Sequence, residues 1–318
     1  LGVLLYFDSY RLISLREMIQ TIAAGVALAA VAYFLNGWLL GALKIDYDTY
    51  SHFGGPVVEE LLKAAALIVL FARNRIGFMI DATIMGFGVG TGFALFENVY
   101  FLQALPDADF GDWIIRGFGT AIMHGGATAL FAALAQSLIE RRGALRPLYF
   151  VPAFIAASAV HVTYNMFTGV PMLSTLAILL CLPPLFLIIF TKSEHAVHQW
   201  LVHDYESHQQ LLDDIVSGRF AHTEAGRFIL SLSRRFGKSV IDDIFDYIKL
   251  HAQIVLRAEA IALARERNEK PQVPPGHRED LKRLAALEKK IGRTAMMALW
   301  PHLHFSRREL WELHEVGG

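Results

Sequence analysis

The sequence predicts an all-α fold: a polytopic bundle of transmembrane helices followed by a C-terminal cytosolic helical domain. Three observations predict it. The 318 residues are 54% hydrophobic and only 19% charged, against about 45–50% and about 25% for an ordinary soluble domain. The charge is unevenly placed: residues 1–190 hold ten Lys/Arg and twelve Asp/Glu, and the remainder nineteen and eighteen. Apolar stretches close to the ~20 residues that cross a bilayer recur through the first part only. The boundary is set at 191/192, giving a transmembrane domain over 1–191 and a helical domain over 192–318. A net charge of −1 leaves no electrostatic footprint for nucleic acid. The one cysteine, Cys181, lies in an apolar run, which excludes a disulfide framework and a Cys-based zinc site.

Taken in order, Leu1-Gly-Val-Leu-Leu-Tyr-Phe7 is too short to span and reads as the tail of a truncated helix. Six full spans follow, at 19–43, 56–72, 76–104, 114–138, 147–169 and 172–190. Arg11 and Arg16 precede the first, Arg73 and Arg75 follow the second, and Arg141, Arg142 and Arg146 follow the fourth. These fall on one side if every segment crosses, and basic short loops mark the cytoplasm. The opposite loops carry Asp46, Asp48, Asp107, Asp109 and Asp112. The third span contains Gly86, Gly88, Gly90 and Gly92, spacing that lets helix backbones approach closely. In the tail, Ser239 to Leu256 keeps an apolar face at helical spacing, Gly237 reads as a helix stop, 271–276 is a linker, and a second helix covers about 278–299. Ten of the thirteen histidines lie in the tail; His195, His198, His203 and His208 read as a solvated helix surface.

Polar groups inside the spans are the informative exception, because an intramembrane charge costs about 2.5–3.5 kcal/mol on insertion scales. Glu59 and Glu60 open the second span, Glu97-Asn98 lies in the third, His124 in the fourth and His161 with Asn165 in the fifth. At 1.5 Å per residue, the glutamate pair lies ~5–6 Å from the outer end of its span, Glu97 ~10 Å, His124 ~15 Å and His161 ~12–15 Å. All fall in the outer half, which points to one shared cavity. His161 and Asn165 are four apart and share a helix face, as do Thr120, His124 and Thr128. Glu59 and Lys63 have the same spacing and can pair; Pro56 puts both glutamates in the opening turns, where the helix dipole favours negative charge.

Peptide hydrolysis needs an activated water, an acid for the leaving amine and donors for the oxyanion. Glu59 or Glu60 suits the base, His124 holds water or donates a proton, His161 with Asn165 donates to the oxyanion, and Glu97 supports the base. No Gly-x-Ser-x-Gly nucleophile is present. Glu60, Glu97, His124 and His161 are also candidate zinc ligands, although His-Glu-x-x-His is absent and the sequence does not demand a metal. Buried carboxylates and histidines also make proton relays, so a proton-coupled transporter or a non-catalytic membrane scaffold are the rival readings.

These residues resemble the PrsW family of intramembrane proteases, related to the CAAX-processing and bacteriocin-processing endopeptidases. Glu59-Glu-Leu-Leu-Lys63 is similar to the family's Glu-Glu-x-x-Lys/Arg motif, Phe93-Ala-Leu-Phe-Glu-Asn98 to its Phe-x-x-x-Glu-Asn motif, and His124 and His161-Val-Thr-Tyr-Asn165 to its third and fourth. Lys63 fits this branch; CAAX-processing members more often carry Arg one position later. The resemblance implies a multi-pass protease of the bacterial inner membrane that cuts a membrane-anchored, anti-sigma-factor-like protein, and related members are described both as metal-dependent and as glutamate-dependent. It does not extend past about residue 192, where the helical tail leaves room for a cytosolic partner.

Overall fold

The computed structural model describes residues 13–104, 115–142, 145–167, 171–267, 269, 276–292, 294–296 and 299, and among them every regular element is a helix. The truncated first helix, Arg11, the acidic 107–112 loop and most of the 271–276 linker lie outside the described residues. Helix α1, Leu15–Leu43, starts at a capping box: Ser14 Oγ accepts from the Glu17 N–H, and the Glu17 carboxylate accepts from the Ser14 N–H. It stops at Lys44, which adopts a left-handed φ of 53°. Asp46 then caps the short turn Tyr47–Thr49, and the Thr49 N–H holds the Asp46 carboxyl below its ordinary pKa.

A π-helical turn, Tyr50–Gly54, feeds α2, Gly55–Ala72. Helix α3 spans Met79–Ala104; a second π-helical turn, Ile115–Thr120, precedes α4, Ala121–Arg142. Helix α5, Phe150–Met166, follows a 3-10 turn at Pro147–Tyr149, and α6 runs Pro171–Val216 with Pro183 and Pro184 inside it. Five stretches among the described residues are long and apolar enough to cross a membrane: Leu15–Leu43, Met79–Phe101, Gly117–Arg142, Pro147–Met166 and Met172–Ser193. Helix α2, expected as a sixth full span, is 18 residues long, but Glu59, Glu60 and Lys63 keep it out of that set. Protein rather than lipid surrounds the last two of those charges: Glu60 and Lys63 are buried.

Helix α3 is the spine. Its glycines alternate sides: a Cβ on Gly88 or Gly92 would strike Thr21 or the Ile22 carbonyl of α1, and one on Gly86 or Gly90 would strike the Thr128 or His124 carbonyl of α4. Two helices thus reach backbone contact with α3 on opposite faces. Gly25 of α1 makes the reciprocal approach to Val89 and Phe93.

The described chain forms two compact units, divided after Glu194; α6 runs through the division. The second unit contains α7, Glu224–Ser231, α8, Lys238–Glu266, and α9, His277–Ile291. Its core gathers Ile229, Ile244, Ile248, Ile254 and Leu299. Helix α9 stops at Gly292, which takes φ 82°, and the chain is helical again at Thr294–Met296 and Leu299, so the expected 278–299 segment is interrupted at Gly292. His203 is exposed as expected, but His208 is largely covered: its Nδ1 lies 3.0 Å from the carboxylate of fully buried Glu259. The side chains of His195 and His198 lie outside the described residues.

Candidate active site

Each π-helical turn delivers a polar residue. The turn at Tyr50–Gly54 leads into α2, whose second turn carries Glu59 and Glu60 and whose third carries Lys63; the turn at Ile115–Thr120 leads into α4, whose first turns carry His124. Such turns are uncommon and cluster at functional sites. Helix α3 contributes Glu97 and α5 contributes His161.

Lys63 sits at the centre and is fully buried. Its Nζ donates to Glu60 Oε1 at 2.5 Å and to His124 Nδ1 at 2.9 Å, and lies 4.7 Å from the centroid of the Phe93 ring. An ammonium only donates, so His124 Nδ1 accepts and its Nε2 carries the hydrogen toward Glu97 Oε2, 2.6 Å away. Glu60 Oε1 also accepts from His161 Nδ1 at 2.9 Å. That leaves His161 Nε2 as a lone pair facing Glu59 Oε2 at 3.8 Å, beyond direct hydrogen-bond reach. The two imidazoles meet edge to face with centroids 4.6 Å apart.

The two glutamates have separated. Spacing offers Lys63 to Glu59, yet the lysine goes to Glu60, three residues away, which is 2% exposed. Glu59 is 17% exposed and is held from the other side: Asn36 of α1 donates to its Oε1 at 3.1 Å, and Tyr50 OH donates to Asn36 Oδ1 at 2.9 Å. Glu59 and Glu97 both line a cavity of about 240 Å³ between α1 and α3, with Asn36, Tyr50, Phe93 and Tyr100 in its walls. The two helices touch near Gly25 and Gly92, and Tyr33 of α1 meets Tyr100 of α3 with ring centroids 5.0 Å apart.

Glu59, Glu60, Lys63, Glu97, His124 and His161 are therefore brought together; Asn165 is not. Its Nδ2 donates to the Ser51 carbonyl at 3.0 Å, so the residue ties α5 to the π-helical turn instead of joining the cluster. Asn36 and Tyr50 are site residues that motif reading misses. Asn36 was detectable: it is an amide deep in an apolar span, seven residues (~10 Å) before the outer end of α1, the depth found for Glu97. Asp81, the main polar group of the inner half, accepts from the Gly77 and Phe78 N–H groups at 3.1 and 3.0 Å; it caps α3.

One ligand atom each from Glu59, His124 and His161 lies within 4.8 Å of the others. A carboxylate and two imidazoles with room for a fourth ligand match the protein side of a catalytic zinc centre, and Glu60 on His161 Nδ1 is the outer-shell carboxylate such a ligand commonly has. The donor set fits a metal. With Lys63 charged, His124 Nε2 carries a hydrogen, so its ligation there displaces a proton.

The fold and the site are those of an integral membrane protein with a buried Glu/His centre. The chain belongs to the PrsW family: residues 14–190 match the model described as PrsW family intramembrane metalloprotease. It is an intramembrane peptidase, and its substrate is a membrane protein met within lipid. No curated protein and no solved structure matches the chain.

Proposed function

We propose that the chain hydrolyses a peptide bond in the outer half of the bilayer, with Glu59 as the base that activates water. The observation that carries this reading is the division of labour within Glu59-Glu60: Glu60 is enclosed by Lys63 and His161, while Glu59 faces the cavity beside Glu97. A carboxylate open to a cavity reaches water and substrate; an enclosed one positions its neighbours.

In this mechanism Asn36 fixes one oxygen of Glu59 and leaves the other to take a proton from water as its oxygen attacks the scissile carbonyl carbon. His161 is oriented by Glu60 and presents Nε2 to the same space. Glu59 then passes that proton to the leaving amine as the carbon–nitrogen bond breaks, and the His124–Glu97 pair, joined by a 2.6 Å hydrogen bond, helps hold the attacking water. Glu59, His124 and His161, with Glu97 beside them, would hold a divalent metal, zinc by ligand type. When bound it polarises the carbonyl and acidifies water.

The substrate enters between α1 and α3, whose aromatic cavity walls suit an apolar segment. Its class, from the family resemblance, is an anti-sigma-factor-like, membrane-anchored protein. The clustering of Arg16, Arg73, Arg75, Arg141 and Arg142 at one set of helix ends supports an inner-membrane orientation with that face and the second unit cytoplasmic, where a cytosolic partner would meet it. The test is to incubate purified protein in liposomes with single-span substrates and map the cut by mass spectrometry. Cleavage in the extracytoplasmic half supports the reading; cleavage at the cytoplasmic boundary rejects it.

A further inference from the structure

A second groove lies on the same bundle, at the opposite end of α1 from the active-site cavity. It has a volume of about 210 Å³ and runs between α1, α2 and α3. Its mouth is polar, formed by Glu17, Gln20, Arg73 and Arg75; its depth is apolar, with Ala66, Leu70 and Met85 in the walls. Arg73 to Ala66 is seven residues along α2, so the groove descends ~10 Å below the charged mouth.

The charges at the mouth do not cancel. Glu17 Oε1 is 3.4 Å from Arg75 Nη1 across an exposed pair, a separation and exposure at which an ion pair contributes little. The other Glu17 oxygen serves the Ser14 capping box. Arg73 is exposed and makes no ion pair among the described residues. Two arginines and one glutamate leave one net positive charge, set at the end of α2 beside an apolar slot.

We propose that this groove is a lipid site that holds a phospholipid with one net negative charge. The phosphodiester lies between Arg73 and Arg75, Gln20 meets polar headgroup atoms, and an acyl chain occupies the slot over Ala66 and Leu70. Guanidinium groups suit phosphate oxygens geometrically, and basic recesses between transmembrane helices on the cytoplasmic side are recognised headgroup sites. A zwitterionic lipid would leave the net charge unmatched, and inorganic phosphate would leave the slot unfilled. The site shares no residue with the peptidase centre and does not depend on the proposed mechanism.

The experiment is native mass spectrometry of the purified full chain released from detergent, with added phosphatidylglycerol, phosphatidylcholine or inorganic phosphate, alongside the melting temperature of each mixture. The expected result is one retained phosphatidylglycerol and a raised melting temperature, with phosphatidylcholine and phosphate at least tenfold less effective. Arg73→Gln/Arg75→Gln should lose retention at least tenfold, and Ala66→Phe, which fills the slot and leaves the arginines in place, should lose it too. Arg141→Gln/Arg142→Gln, which removes two charges elsewhere, should retain the lipid. Equal retention of phosphatidylcholine, equal protection by phosphate, unchanged retention in either groove variant, or equal loss in the Arg141/Arg142 variant would overturn the proposal.

Discussion

The two units of the chain use the same residue types in opposite ways. In the membrane unit the charges of the site are inside and many large apolar side chains are outside: Lys63 and His124 are fully buried, whereas Phe34 is 74% and Trp38 68% exposed. In the second unit the core is mostly aliphatic; Arg219–Asp214 and Lys290–Asp243 each have one partner at the surface, and the pair that reaches inside is His208–Glu259. Among the described residues after 195, only Val216 and Leu230 are exposed large hydrophobics. The contrast follows from the solvent. Lipid solvates an apolar surface as well as a core would, so the membrane unit gains little from hiding its leucines and much from hiding its charges. A polar cluster assembled at that cost is the place to look for function.

The comparison is most easily broken by removing a charge from the centre of the first unit. Glu60→Gln leaves the Lys63 ammonium without its counter-charge, and breaking a buried pair from one side costs about 3–5 kcal/mol. Thermal unfolding in detergent should show a large drop in melting temperature. In the second unit Ile244→Ala, at a fully buried position, should cost about 2–5 kcal/mol through cavity formation, with peptidase activity per folded molecule unchanged. Asn36→Ala frees one oxygen of Glu59 and should lower cleavage about tenfold, or about 1.4 kcal/mol in the barrier, with melting temperature nearly unchanged. Lys290→Ala removes a surface pair and should change stability by less than about 1 kcal/mol. A charge deletion that was mild in the membrane unit and severe at Lys290 would reverse the contrast.

Metal content sharpens it further. Purified protein should carry a divalent metal that His161→Ala loses, read by elemental analysis. Because His124 gives up a proton on ligation, affinity should weaken as pH falls, a trend that adventitious binding to exposed tail histidines would not lose with His161.

Much of the fold was legible in the sequence for physical reasons. Bilayer thickness dictates span length, so the apolar stretches located the helices, and the alternate glycines of α3 announced close helix packing, whose partners, α1 and α4, only the structure supplies. Depth along each helix brought Glu59, Glu60, Glu97, His124 and His161 to one level. Rotation about each helix was not legible, because a one-residue step turns a side chain by ~100°. Lys63 could reach either glutamate by spacing, and only packing gave it to Glu60. Asn165 shares a face with His161 but lies one turn nearer the membrane surface, where the Ser51 carbonyl meets it first. Tyr50 was hidden because its role depends on a π-helical turn that no local pattern announces.

The most direct measurement of the central claim is cleavage of a single-span substrate by Glu59→Gln in liposomes, with the melting temperature recorded on the same sample. A base that faces the cavity predicts normal melting and a loss of cleavage of about 10³-fold, within the range for a general base. Cleavage within tenfold of the unmodified chain, or a collapse in stability like that expected of Glu60→Gln, would contradict the assignment.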